Sequence, residues 1–364
     1  MIERDELAAW LRLLEAPQVG RDTARQLLAA FGSPQAVFDA GSAAWRDLVG
    51  PSLSAALSAP PPALDERLEA TWQWLAMGEQ RAVVTLGDPS YPAMLLETPD
   101  PPLLLYLQGR AGLLAAASLA VVGSRNPTPQ GLDNARSFGR HLSQAGWCVV
   151  SGLALGIDGA AHEGALEGEG GTIAVVGTGL DRVYPKRHLG LAHRIAAQGL
   201  MLSEYALGTP PLAPLFPQRN RLIAGLSRGT LVVEAALQSG SLITARLASE
   251  CGRDVFAIPG SIHAPQSRGC HLLIKQGAKL VDSAQDILEE LGSETSRPPP
   301  APVEASPSAD PLLGALGYEP VTLDALVERT GMAAGALNVR LLELELEGQV
   351  ARLPGQLFQR VGRA

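Results

Sequence analysis

Aromatic side chains are scarce in this 364-residue chain, at 4 %: five Trp, five Tyr and six Phe. A surface that stacks one nucleobase after another needs more, so any nucleic-acid contact should lean on backbone phosphates. Cysteine is scarcer still. Cys148, Cys251 and Cys270 are far apart, with no CxxC or His-paired spacing. That argues against a disulfide framework or a zinc site and for reduced, mostly buried thiols. The Leu113–Val122 apolar run is broken by Ser118 and too short to span a bilayer. The N-terminus, Met-Ile-Glu-Arg-Asp-Glu-Leu, carries charges of both signs and does not read as a signal peptide. The expected location is the cytoplasm, with no membrane partner. No G-x-x-x-x-G-K-[ST] occurs, nor a complete G-x-G-x-x-G with an acid at the end of the next strand. A Walker-loop nucleotidase and a nicotinamide or flavin enzyme are therefore disfavoured. No His, Asp or Cys spacing supports a metal, and no cofactor is expected.

What remains is an ordinary soluble composition, 46 % hydrophobic and 18 % charged, with a formal net charge of −8. Against that acidic background, Asp181–Arg228 holds seven Lys or Arg and only two acids. The centre of this stretch is Phe216-Pro217-Gln218-Arg219-Asn220-Arg221-Leu222-Ile223-Ala224-Gly225-Leu226-Ser227, which places two arginines and Asn220 at the start of an expected helix. A concentrated positive patch suits a phosphate-rich partner, because each neutralised phosphate releases condensed counterions. The plainer alternative is a solvated polar helix face.

The chain divides into zones. Residues 1–75 read as short amphipathic helices, with Leu11 and Leu14, then Ala24, Leu27, Leu28 and Phe31, then Ala36 and Val37. Pro17–Ala24 has the shape of a helix-hairpin-helix turn. Asp22 sits where a second glycine would, and the zone carries a net −4, so packing is favoured there over DNA contact. Residues 76–291 alternate β-rich runs (82–86, 103–107, 118–123, 147–151, 172–177, 200–203, 229–233, 254–258 and 278–282) with helical patterns. Runs such as Thr172–Val176 lack polar alternation and call for cover on both faces. The expected fold class is α/β, a doubly wound, mainly parallel sheet. Residues 292–310 form a Pro-rich linker, expected to be extended. In 311–364, helices at 312–316, 322–329 and 333–348 and a hairpin at 350–360 suggest a winged-helix module, whose third helix takes a core face from Leu341, Leu342, Leu344 and Leu346. From residue 292 on there are six bases and nine acids, with Glu343, Glu345 and Glu347 on the would-be recognition helix. Groove binding is disfavoured on charge, and a protein-contact module is the better reading.

Four glycine-rich turns follow expected strands: Gly123–Pro127, Ser151–His162, Gly177–Asp181 (leading to Tyr184–His188), and Glu234–Thr244. In an open parallel sheet such turns collect at the carboxyl edge, where ligands bind. Glycine lets backbone amides approach phosphate, and Arg125 can add a bidentate contact. Asp158 and His162, four apart, are either an acid–base pair or a helix cap beside a hydrogen-bonded histidine, the commoner arrangement. Glu234 follows a buried strand and anchors the next turn.

Together, Gly123-Ser124-Arg125, Ser151–Ala154 with Gly156–Asp158 and Ala161-His162, Gly179–Asp181 with Tyr184-Pro185, Ser203–Tyr205, Phe216–Ser227, Val232–Ala235 with Ser239–Ala245, and Ile258–Gly260 closely resemble the DNA-processing protein A family (DprA/Smf). The resemblance is dense over 118–281, and the flanking zones fit the family's three-part layout. It implies an extended Rossmann-like domain, a small N-terminal helical domain of the SAM or helix-hairpin-helix kind, and a C-terminal winged helix. It also implies a non-enzymatic, homodimeric single-stranded DNA-binding protein of natural transformation, which protects incoming strands and helps load the RecA recombinase. Duplex DNA binding is left open. Carried over by motif, the DNA contacts are Arg125, Lys186, Arg219, Asn220, Arg221 and Lys275, with backbone amides near Gly123, Ser124, Gly177, Gly179, Ser239 and Gly240. His188 and His271 depart from the family, which often has Asn at both. Leu272, Leu273, Ile274 and Leu280 are expected to form part of the dimer face or else ordinary core. The competing enzyme reading is a Rossmann-like nucleoside-monophosphate phosphoribohydrolase of the lysine decarboxylase-like class. Its Pro-Gly-Gly-x-Gly-Thr run is replaced here by Ser227-Arg228-Gly229-Thr230, without the double glycine. A winged-helix regulator is disfavoured by the acidic C-terminal region.

Overall fold

A computed structural model describes residues 2–292, 310–317 and 320–361. The N-terminal zone is built from helices Arg4–Glu15, Arg21–Phe31, Pro34–Ser58 and Leu64–Ala76. Leu7 and Leu11, then Ala24 and Leu27, fall on one helical face each and are buried together with Trp45 and Trp74. Gly41 and Gly50 interrupt the third helix with φ of 77° and 83°, which leaves it in short pieces.

The central domain holds one nine-stranded sheet: β1 (Arg81–Thr85), β2 (Leu104–Gly109), β3 (Ser118–Val122), β4 (Cys148–Ser151), β5 (Thr172–Val175), β6 (Leu200–Ser203), β7 (Gly229–Val232), β8 (Asp254–Ala257) and β9 (Lys279–Leu280). The spatial order is β1-β2-β6-β5-β4-β3-β7-β8-β9. Strands β6 through β9 in that order run parallel, while β1 and β2 add an antiparallel edge. Every strand read from the sequence is present within a residue or two at most ends, because each is a short β-rich run bounded by turn residues.

Both faces are covered, as unalternated apolar strands require. In β3, Leu119 and Val121 face Phe138 and Leu142 of helix Pro129–Gln144 and Ala160 and Ala161 of helix Ile157–Ala165. Ala120 and Val122 face the other side, toward Leu222, Ile223 and Leu226 of helix Leu215–Leu226. The chain winds outward from β3 to β6, then crosses back to place β7 on the other side of β3. That reversal puts the topological switch point at β3 and β7, and doubly wound sheets bind ligands at the carboxyl ends of the strands beside such a point.

The helical zone is tied to the sheet domain by charge as well as apolar packing. Asp100 accepts from Arg21 Nε (2.8 Å) and Arg25 Nη1 (2.7 Å), and Arg221 Nη1 donates to the Asp100 carbonyl (2.6 Å). Arg221 also pairs with Glu204. Burial alone would raise the Asp100 pKa, but Arg21, Arg221 and Arg25 outweigh it and hold the carboxyl below its ordinary range. Arg21 of the hairpin-like turn at 17–24, and Arg25 just after it, are thus engaged with Asp100, in line with packing.

The C-terminal module is a winged helix: helices Pro311–Leu316, Leu323–Thr330 and Ala334–Leu346 over a three-stranded sheet of Val321–Thr322, Val350–Leu353 and Leu357–Arg360. Thr322 caps the second helix, its hydroxyl accepting from Ala325 N (3.2 Å). The third helix departs from expectation on one point. Leu337, Leu341 and Leu344 are buried, whereas Leu342 and Leu346 are exposed. Positions 342 and 346 fall about 130° and 170° off the 337-341-344 stripe, so one helix cannot bury both sets. Of the linker expected at 292–310, residues 293–309 lie outside the described residues.

Candidate nucleic-acid interface

The turn after β3 is fixed by its neighbour. The Ser124 carbonyl accepts from Ile157 N (3.1 Å), and Ser124 Oγ accepts from Asn126 N (3.1 Å). Gly156, at φ 81°, lies so close to the Ser124 carbonyl that a β-carbon there would collide with it. This packing leaves Arg125 exposed at the carboxyl edge.

The turn after β4 is held from within. Asp158 reaches back from the first turn of helix Ile157–Ala165 and accepts from Gly152 N (3.1 Å) and Ala154 N (3.3 Å). Leu153 between them adopts a left-handed φ of 58°, a strained conformation that non-glycine residues hold at a cost of roughly 1–3 kcal/mol. Its carbonyl accepts from His188 Nδ1 (2.9 Å), which joins this turn to the Tyr184–His188 loop.

Against Gly152 lies the Arg219 side chain, and a β-carbon at 152 would occupy the position of Nη1. Arg219 is only 4 % exposed, yet its Nε and Nη1 have no hydrogen-bond partner. Burial lowers its pKa to about 10; the Asp158 charge opposes the shift and Arg125 reinforces it. Burial raises the Asp158 pKa, against the pull of Arg219 and the two backbone amides. Arg219 remains charged at neutral pH. A buried cation with unmet donors is costly unless an anion completes its shell.

The turn after β5 brings the loop cations to the same edge. Gly177 sits under Phe216, one helical turn before Arg219. Lys186 and Arg187 are exposed on the following loop. The Gly179 amide already donates to the Thr209 carbonyl (3.1 Å), so it is not available to a ligand. After β7, both Glu234 oxygens accept from Thr128, Oε1 from the hydroxyl (2.6 Å) and Oε2 from the amide (3.0 Å). Glu234 thereby anchors the N-terminus of helix Pro129–Gln144. Ser239 N is likewise engaged with the Ala236 carbonyl (2.9 Å), and Asn220 Nδ2 reaches the Gly240 carbonyl at 3.5 Å.

The fold thus gathers Gly123, Ser124, Arg125, Gly177, Lys186, Arg219, Asn220 and Gly240 along the carboxyl edge. Four sequence-level candidates fall elsewhere or offer nothing there. Arg221, two residues after Arg219, turns to the opposite side of its helix and is consumed by Glu204 and Asp100. Lys275 ends helix Arg268–Lys275, which runs back toward the amino edge of the sheet. The Gly179 and Ser239 amides are used internally. Spacing cannot show any of this, because it depends on which carboxylate the fold delivers.

His162 is fully buried beneath this edge. Thr172 Oγ1 gives its proton to the Val149 carbonyl (2.6 Å), so His162 Nδ1 donates to Thr172 (2.7 Å). Burial, with His188 and Arg219 nearby, depresses the His162 pKa to about 3, and the ring is neutral. Asp158 and His162 therefore do not touch as an acid–base pair. Asp158 braces the preceding turn rather than capping its helix, whose N-cap is Gly156. The bracing turn and the unpartnered Arg219 were not legible in the sequence; only the glycine at 152 hinted at a close approach. Among the described residues no His, Cys, Asp or Glu cluster fits a metal ion, and no helix is long and apolar enough to cross a membrane.

Comparison with known proteins identifies the family. Residues 82–292 match the DNA recombination-mediator protein A family, 296–356 the DprA winged helix domain, and 4–40 the DprA-like N-terminal HHH domain. Protein Smf of Escherichia coli (strain K12) is 44 % identical over 298 residues, covering 79 % of each chain. The structure of DNA processing protein A from Streptococcus pneumoniae superposes with a TM-score of 0.67 at 39 % identity, covering 79 % of this chain and 98 % of that one. That of DNA processing protein A from Helicobacter pylori, which has a described single-stranded DNA binding mode, gives 0.53 at 33 %, covering 58 % and 95 %. With family models matching segments of all three of its zones, the chain belongs to the DprA/Smf family of DNA-processing proteins.

Proposed function

We propose that this chain binds single-stranded DNA along the carboxyl edge of its sheet, as a non-enzymatic protein of natural transformation that protects incoming strands and helps load the RecA recombinase. The observation that carries the reading is Arg219: a buried guanidinium with two unmet donors, at the carboxyl edge of a doubly wound sheet, beside exposed Arg125. A backbone phosphate supplies the anion this corner calls for, in charge-assisted bonds worth about 1.5–3 kcal/mol each. Lys186 and Arg187 continue the positive track. Phosphate contacts position a strand without reading it, so sequence preference should be low. Binding requires no bond to be broken, and the one carboxylate of interest to a hydrolase reading, Glu234, has both oxygens committed to Thr128.

A homodimer completes the proposal. Leu272 and Leu280 are 39 % and 48 % exposed beside the open edge of the two-residue β9, while Leu273 and Ile274 pack inward. Pairing two copies there presents two grooves to one strand and gains avidity through effective concentration.

The test is fluorescence anisotropy on labelled oligothymidylate, titrated across salt, for wild type, Arg125→Ala and Lys186→Ala. Each variant is expected to weaken binding and flatten the salt dependence. Full affinity in both, with the protein folded, refutes the groove.

A further inference from the structure

Among the described residues Tyr184 is the one well-exposed aromatic side chain, at 48 %; the other described Trp, Tyr and Phe side chains are buried or half-buried. An isolated exposed ring is unremarkable on most surfaces. This one sits on the cationic track, two residues before Lys186 and three before Arg187. One face is already occupied: Phe216 lies against it with centroids 5.4 Å apart and planes tilted by 35°. Phe216 in turn rests over Gly177 and precedes Arg219 by one helical turn, so the aromatic pair and the buried guanidinium are held by the same helix.

We infer that Tyr184 is a nucleobase-stacking residue at the mouth of the groove, an inference that rests on the reading of that groove as a single-strand site. A planar, uncharged, partly apolar group flanked by phosphate is the ligand chemistry this combination fits. A base laid on the free face extends the Phe216–Tyr184 stack, while its flanking phosphates meet Lys186 and Arg187. The stack is preformed, so little side-chain freedom is lost on binding. Stacking is tolerant of sequence, because every base offers a π-face. It therefore adds affinity without the specificity that phosphate contacts also lack.

The experiment compares wild type, Tyr184→Leu and Tyr184→Phe on labelled oligothymidylate and on an abasic strand of equal length, each across salt. Leucine keeps apolar packing on Phe216 but has no ring; phenylalanine keeps the ring. Tyr184→Leu should lose roughly 5- to 150-fold affinity for oligothymidylate, the range one stacked base contributes. Its log–log salt slope should match wild type, since no ion is released at a stack. On the abasic strand the two should bind alike, and Tyr184→Phe should restore binding to oligothymidylate. Equal affinity of Tyr184→Leu and wild type for oligothymidylate, while Arg125→Ala and Lys186→Ala lose it, overturns the stacking role and spares the groove. Loss that is equal on both strands assigns Tyr184 to loop architecture instead and also overturns it. If Arg125→Ala and Lys186→Ala bind as wild type, the groove reading itself has failed.

Discussion

Replacing Arg219 with methionine should move stability and binding in opposite directions. Methionine fills much of the same volume without charge. In the wild type, two buried donors of Arg219 go unpaired, a cost of about 1–3 kcal/mol each when nothing is bound. Removing them relieves that cost, and exchanging a buried ion for an apolar side chain is often neutral or stabilising. The loss of the Arg219 field at Asp158 works the other way, because Asp158 keeps only Gly152 N and Ala154 N as partners. The net change in stability should lie between about 0 and +2 kcal/mol. For a core domain of this size that is a rise in Tm of no more than about 8 °C. Binding should fall roughly 10- to 150-fold, as one phosphate loses bonds worth about 1.5–3 kcal/mol. The log–log salt slope should drop by about 0.7, the share of one phosphate on a single strand. Differential scanning calorimetry and anisotropy on oligothymidylate read the two quantities separately. A Tm lower by more than about 5 °C with unchanged affinity would refute the reasoning and make Arg219 a structural cation.

Gly152→Ala should reproduce the binding loss through geometry alone, since its β-carbon displaces the guanidinium; the double variant with Arg219→Met should lose little more, which anisotropy can measure as non-additivity. Asp100→Asn removes the carboxylate that Arg21, Arg25 and Arg221 share. It should destabilise by about 1–3 kcal/mol in urea unfolding and leave DNA affinity unchanged. Because the folded pKa of Asp100 is depressed, its contribution is present above the unfolded value near 4 and is lost as pH falls through the lower folded value. Wild type and Asp100→Asn should thus converge in stability only in strong acid. Leu272→Glu together with Leu280→Glu should give a monomer by light scattering, with strand affinity reduced through lost avidity rather than abolished.

The sheet was legible because short apolar runs bounded by glycine and other turn residues can be little else, and both of their faces had to be covered. The positive track was legible for a similar reason, since seven cations within Asp181–Arg228 stand out on an acidic chain. The destination of each cation was not. Arg219 and Arg221 look equivalent in sequence, but a helix turns them about 200° apart. Tertiary packing put one beside Gly152 with unmet donors and the other against Glu204 and Asp100. Likewise, spacing offered Asp158 and His162 as a pair, and the fold gave each a different backbone or hydroxyl partner. The winged helix repeats the pattern, with its elements plain from periodicity but its Leu342 and Leu346 turned outward by the fit of one stripe to one core. The order of side chains along the chain determined which elements form and where the charge lies. Which groups are brought to face one another across elements remote in sequence was decided only by the tertiary structure. A charge acquires its role from the partner that packing sets beside it.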